Sequence, residues 1–227
     1  MRAASRAASQ RAVQHQTEQP GRDCPLCPRL VAFREEWRAR EPEWHNAPVA
    51  AFGPSNARLM IVGLAPGLRG ANRTGRPFTG DYAGDLLYAT LTEFGFAHGQ
   101  YAATPDDGLT LDDGMIVNAV RCVPPQNKPT GVEIATCRPF LAGQIGAMPQ
   151  LSAVVALGRI AHESVVRAFG ERLGRIPFAH GAEHAIGPVR LFDSYHCSRY
   201  NTNTRVLTPD MFRAVFQRVR AYLDGRP

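Results

Sequence analysis

RLMIVGLAPGLRGANRTGRPFTGD, Arg58 to Asp81, decides the fold. Its opening run, RLMIVGL, is apolar from Leu59 to Val62, the mark of a strand buried on both faces. Gly63, Pro66 and Gly67 then turn the chain. Beyond Asp81, YAGDLLYATLTEFG sets Leu86, Leu87, Ala89, Leu91 and Phe94 at helical spacing. Strand, glycine-rich turn and helix form the unit from which open α/β sheets are built. The same unit cradles phosphates, so the loop must be tested for that use.

The test fails where the chemistry lies. Gly70 and Gly75 have the G-x4-G spacing of a phosphate loop. Arg76 stands where a Lys should reach the phosphates, and Pro77 where a Ser or Thr should ligate magnesium. No G-x-G-x-x-G pattern occurs either. A nucleoside triphosphate enzyme is therefore the weakest functional class. The loop offers a compact backbone, an aromatic (Phe78), a carboxylate (Asp81) and two cations, Arg73 and Arg76. That set suits a planar polar heterocycle.

Outward from this unit the pattern repeats. GMIVNAV (114–120), LSAVVALG (151–158) and VRLFDSYH (189–196) read as three further strands. Helices are predicted after the first cysteines, over 132–148 with Pro139 as a kink or break, after Gly158, and from Pro209 with Thr208 as N-cap. YAATPDDGLTLDD and CVPPQNKPTG read as loops. Apolar strands alternating with helices imply a parallel sheet covered on both faces, with ligands beyond the carboxyl ends of its strands. GLAPG, NAVRC and SYHCSRYN all lie at such ends, on one rim. There Phe78 can stack on a ring, Asn118 can donate to and accept from a pyrimidine edge, and His196 can meet a developing anion. Taken singly, Asn118 and His196 read equally well as satisfied core residues.

The 227 residues divide into a polar, non-periodic tail, 1–22, and one domain, 23–227. The tail lacks the apolar core of a secretory signal, and no run reaches the ~20 apolar residues of a membrane span. A cytoplasmic protein without a membrane partner is expected. The net charge is +6, carried by Arg apart from the single Lys128, and it favours a polyanionic partner. Cys24 and Cys27 form a C-x2-C pair, and Cys122 and Cys137 lie far downstream. The four suit tetrahedral zinc or a [4Fe–4S] cluster, and spacing alone leaves both open.

GLAPG, NRTGRPFTGD, NAVRC, SYHCSRYNTNT and the four cysteines together resemble the iron–sulfur uracil-DNA glycosylases, most of all family 5, the UDGb type. The resemblance covers residues 24–222. It implies a three-layer α/β/α sandwich around a mostly parallel four-stranded sheet. It implies a [4Fe–4S] cluster, in preference to zinc, on Cys24, Cys27, Cys122 and Cys137. It implies excision of uracil, and of other deaminated or damaged bases, from DNA bound by a monomer. In that reading Gly63, Leu64, Ala65, Phe78, Asn118 and His196 bind the flipped base. Asp81, His196 and Asn118 carry the catalysis, and Arg73, Arg76, Ser198 and Arg199 contact DNA. Ala65 stands where related enzymes place a water-orienting polar residue, so Asp81 inherits that task. The competing use of Asp81 is as a helix N-cap. The third motif departs from the family: His196-Cys197-Ser198 replaces His-Pro-Ser. The alternative function is a cluster- or zinc-stabilised module that binds damaged or single-stranded DNA without cutting it.

Overall fold

Residues 19–225 are described by a computed structural model. The expected tail over 1–22 falls outside that range except at its end. The order is α1 (Pro28–Arg40), β1 (Leu59–Gly63), α2 (Ala71–Thr74), α3 (Tyr82–Glu93), β2 (Ala97–His98), β3 (Thr110–Leu111) and β4 (Gly114–Asn118). It continues with α4 (Gly131–Gly146), β5 (Ala153–Leu157), α5 (Arg159–Ala168), β6 (Glu183–Ile186), β7 (Val189–Ser194), α6 (Arg199–Asn203) and α7 (Pro209–Leu223).

The central sheet has five strands in the order β4-β1-β5-β7-β6. β1 pairs in parallel with β4 and β5, and β5 with β7. β6 runs antiparallel to β7. The expected four strands are thus corrected to five. EHAI escapes a hydrophobic reading because it is an edge strand with only Ile186 buried. Gly187, at φ +52°, and Pro188 turn it directly into β7. β2 and β3 form a separate two-stranded ribbon, of which β3 falls inside the YAATPDDGLTLDD segment that reads as loop.

Alternation along the buried strands divides the core into two layers. Leu59, Ile61, Ile116, Val155 and Phe192 face α3 and α7. Met60, Val62, Val117, Val154 and Leu191 face α4 and α5. α7 buries Phe212, Val215, Phe216 and Val219, an i, i+3, i+4, i+7 stripe. The three-layer sandwich follows from these two faces. Helix α4 continues through Pro139 without the expected break. Its start is secured by a capping box: Thr130 Oγ1 accepts from the Glu133 N–H, and Glu133 accepts from the Thr130 N–H. The same Glu133 carboxylate takes Arg29 of α1 in a two-point pair, each bond 2.7 Å long. This pair ties the two cysteine-bearing helical segments together.

Candidate active site

β1 and β4 end side by side, with Gly63 opposite Asn118. Beyond them, and beyond the end of β7, opens a cavity of about 370 Å³. It is lined by Leu64, Ala65, Phe78, Asp81, Asn118, His196, Ser198 and Arg199. Sequence reasoning therefore brought the right loops to one rim. Gly63 does not itself line the cavity but backs two side chains that do: a Cβ there would lie 2.5 Å from Asn118 Oδ1 and 2.6 Å from Phe78 Cζ.

Phe78 is held at φ +53°, a conformation that costs an L-residue ~1–3 kcal/mol and needs support from its surroundings. The support is visible. The Tyr101 hydroxyl donates to the Phe78 carbonyl at 3.1 Å, and the Tyr88 hydroxyl to the Pro77 carbonyl at 2.6 Å. Gly84 leaves room for the Phe78 carbonyl, which a Cβ would strike. The ring stacks with His196, centroids 5.8 Å apart and planes 25° apart.

His196 follows β7, and its carbonyl accepts from the Asn201 side chain at 2.8 Å. Burial pulls its imidazole down to about 4, so it is neutral at pH 7. A neutral ring donates one hydrogen bond without carrying charge. Asn118 is buried, and its Oδ1 has no partner among the described residues. An unpaired buried acceptor costs ~1–3 kcal/mol and is explained when a ligand is to satisfy it.

Asp81 caps α3, its Oδ1 accepting from the Gly84 N–H at 3.3 Å. Its other oxygen faces the turn: a Cβ on Gly67 or Gly70 would lie 3.1 or 2.6 Å from Oδ2. Burial raises its pKa, against the pull of the Gly84 and Ala83 N–H groups. Cap and pocket wall are thus one side chain, because a carboxylate has an oxygen for each.

Arg76 is a correction. It does not reach the surface to contact DNA but is 5% exposed. Its guanidinium bonds Asp107 at 2.8 and 2.7 Å and Thr79 Oγ1 at 2.7 Å, with the Phe52 ring 5.2 Å away. Arg76 holds the Asp107 carboxyl far below the usual carboxylate range. The planar fork matches a carboxylate and its flat face an aromatic, so folding uses the charge internally. Arg73 is exposed, its Nε donating to the Arg69 carbonyl at 2.9 Å. Arg199 is exposed at the lip, over Tyr82 at 5.2 Å, and Ser198 caps α6. Sequence reasoning missed Tyr82 and Asn127, which also line the cavity. Asn127 lies at φ +57° in the proline-rich segment, a turn signal of the kind Asn accepts.

Cys24, Cys27, Cys122 and Cys137 line a second, smaller cavity with Leu30, Val120, Arg121 and Phe140. Burial pushes the Cys122 thiol up to about 12 and Cys137 up to about 11. Among the described residues no three His, Cys, Asp or Glu side chains close around a single ion. Cys197 lies apart, fully buried against the Ala83 carbonyl. The two cavities share a wall: Ala65 lines the first and packs on Leu30, Val120 and Cys137 beside the second. No described helix is long and apolar enough to cross a membrane.

The family model of the uracil DNA glycosylase superfamily matches residues 50–220. A type-5 uracil-DNA glycosylase of Thermus thermophilus is 45% identical over 87% of this chain and 92% of its own length. One of Mycobacterium leprae is 42% identical over 86% and 89%. A type-4 uracil-DNA glycosylase of Sulfurisphaera tokodaii is 32% identical over 76% and 75%.

Proposed function

The chain belongs to the uracil DNA glycosylase superfamily, and from that premise we propose that it flips uracil out of DNA and hydrolyses its N-glycosidic bond. It leaves an abasic site for base excision repair. The observation that carries the reading is the convergence of Phe78, Asn118 and His196 on one cavity. Extruding a nucleotide costs a few kcal/mol, least for a mispaired base. Phe78 stacks on the extruded ring, and the unpaired Asn118 amide reads its edge. As the C1′–N1 bond breaks, its electrons pass to the base and gather at O2. The neutral His196 ring donates a hydrogen bond to that oxygen, and its charge state does not change. Water attacks C1′ of the oxocarbenium-like sugar, and Asp81 orients it and takes its proton. Ala65 leaves space at the wall for that water.

Ser198, Arg199 and Arg73 contact the DNA backbone around the cavity. The same pocket accepts other deaminated or damaged bases whose ring takes up the negative charge as the glycosidic bond breaks. The domain acts as a monomer, from residue 23 onward.

Cys24, Cys27, Cys122 and Cys137 would hold a [4Fe–4S] cluster. The donor set fits, because four thiols line one cavity together with a buried, unpartnered guanidinium. When bound, the cluster supplies a covalent staple between the start of α1, the segment after β4 and α4. The test is incubation with duplexes carrying uracil, hypoxanthine, xanthine or 5-hydroxymethyluracil, scored as alkali-labile sites. Cleavage at uracil is expected. Binding without base release would leave a damaged-DNA-binding module instead.

A further inference from the structure

Arg121 is the largest of the fully buried side chains, at 0% exposure. Among the described residues, Nε, Nη1 and Nη2 all lack a hydrogen-bond partner. No carboxylate among the described residues pairs with it, whereas Arg29, Arg58 and Arg76 each hold one. A buried charge without a partner is strongly destabilising. Its main chain is fully engaged: the Arg121 N–H donates to Cys137 Sγ at 3.3 Å, and its carbonyl accepts from Val49. Arg121 is among the residues that line the thiol cavity. A second buried cation, Arg34, lines it too, with Nη1 and Nη2 on the Cys24 carbonyl and Nε without a hydrogen bond, 3.6 Å from Glu35 Oε1.

We propose that Arg121, seconded by Arg34, is the buried counter-charge of the tetrathiolate centre, and that it sets the centre's reduction potential and retention. The proposal rests on the cofactor reading above. Four thiolates around a [4Fe–4S]²⁺ core carry a net charge of minus two, and so do four around Zn²⁺. Such a dianion supplies what three orphaned guanidinium nitrogens lack, and the cation stabilises the dianion in return. Each is costly without the other, so the chain without its centre carries an unpaired guanidinium. A positive charge favours the more reduced, more negative cluster, so Arg121 raises the potential. Arg121 is therefore a positioning and tuning residue. It lies within the run Asn118–Cys122, which joins the base pocket to the thiol cavity.

The test compares the full-length chain with Arg121→Met and Arg121→Lys, each anaerobically purified and also stripped of metal. Iron, sulfide and zinc content of the unsubstituted chain reads the cofactor itself. Its absence there would overturn the cofactor reading, and the counter-charge with it. With a centre present, Arg121→Met is expected to lose it to a chelator about tenfold faster. Voltammetry of a cluster is expected to show a more negative midpoint, with Arg121→Lys restored toward the original. After stripping, Arg121→Met is expected to unfold at a higher temperature than the stripped original, the opposite sign to the loaded pair. An unchanged release rate and midpoint, or equal destabilisation of loaded and stripped proteins, would overturn the proposal while leaving the cofactor in place.

Discussion

Gly63 and Asn118 are register partners at the carboxyl ends of β1 and β4, and the Asn118 side chain occupies the space a Gly63 Cβ would need. The missing Cβ is what lets the Asn118 amide and the Phe78 ring sit where they line the cavity. Gly63→Ala is expected to push Asn118 and the Phe78 ring apart by steric contact. A displacement of ~1 Å costs on the order of 100-fold in rate. Single-turnover excision of uracil, beside circular dichroism to confirm folding, is the check. Unaltered excision would mean that neither side chain is placed by this contact.

The observed cap and the proposed water-orienting role of Asp81 separate experimentally. Asp81→Asn keeps an oxygen to accept from the Gly84 N–H, so α3 keeps its cap and the melting temperature should barely move. The amide cannot take a proton from water, so excision should fall by about 100-fold or more. A fall of only a few-fold would reduce Asp81 to a cap.

Arg76 and Arg199 should behave oppositely. Arg76→Gln leaves Asp107 buried without its cation, a loss of ~3–5 kcal/mol measured by denaturant unfolding. Arg199→Ala should leave stability unchanged and lower the slope of log binding constant against log salt by about one. A salt slope altered by Arg76→Gln at unchanged stability would restore the DNA contact expected from sequence.

His162 lies outside the pocket, yet it predicts a pH dependence of the fold. Its Nδ1 meets Asp193 Oδ1 at 2.7 Å and its Nε2 meets the Ile176 carbonyl at 2.9 Å. Both partners accept, so the ring holds both protons. Burial alone would lower its pKa, but the Asp193 carboxylate and the carbonyl outweigh it, and the net shift is upward. A raised histidine contributes stability that is complete below the ordinary value near 6.5 and is lost as pH rises through the folded value. The stability gap between the natural chain and His162→Gln should therefore be wider at pH 6 than at pH 9. An equal gap would deny the charged pair.

His196 works in the other direction. Burial holds it at about 4, so its neutral form persists through the working range and excision should show no step near 6.5. The unfolded chain binds that proton first, so stability falls as pH drops from about 6.5 toward 4. A rate step near 6.5 that disappears in His196→Gln would mean a solvated, titrating ring.

Sequence alone determined the parallel strands, their helices and the rim on which the cavity opens. Those depend on the spacing of apolar residues, and Leu59–Val62 or Phe212–Val219 state their burial outright. Asn118 and His196, taken singly, read equally well as satisfied core residues; the tertiary structure is what sets them beside Phe78 on one cavity. The β6 edge strand was not legible, since one buried residue in four makes no pattern. Only the tertiary structure decided which Arg meets solvent. Arg73, Arg76, Arg121 and Arg199 are the same residue in the sequence. One is buried on Asp107, one is buried beside four thiols, and two remain outside. A charge has no periodicity to betray its burial; its partner, distant in the chain and brought close by folding, is what places it.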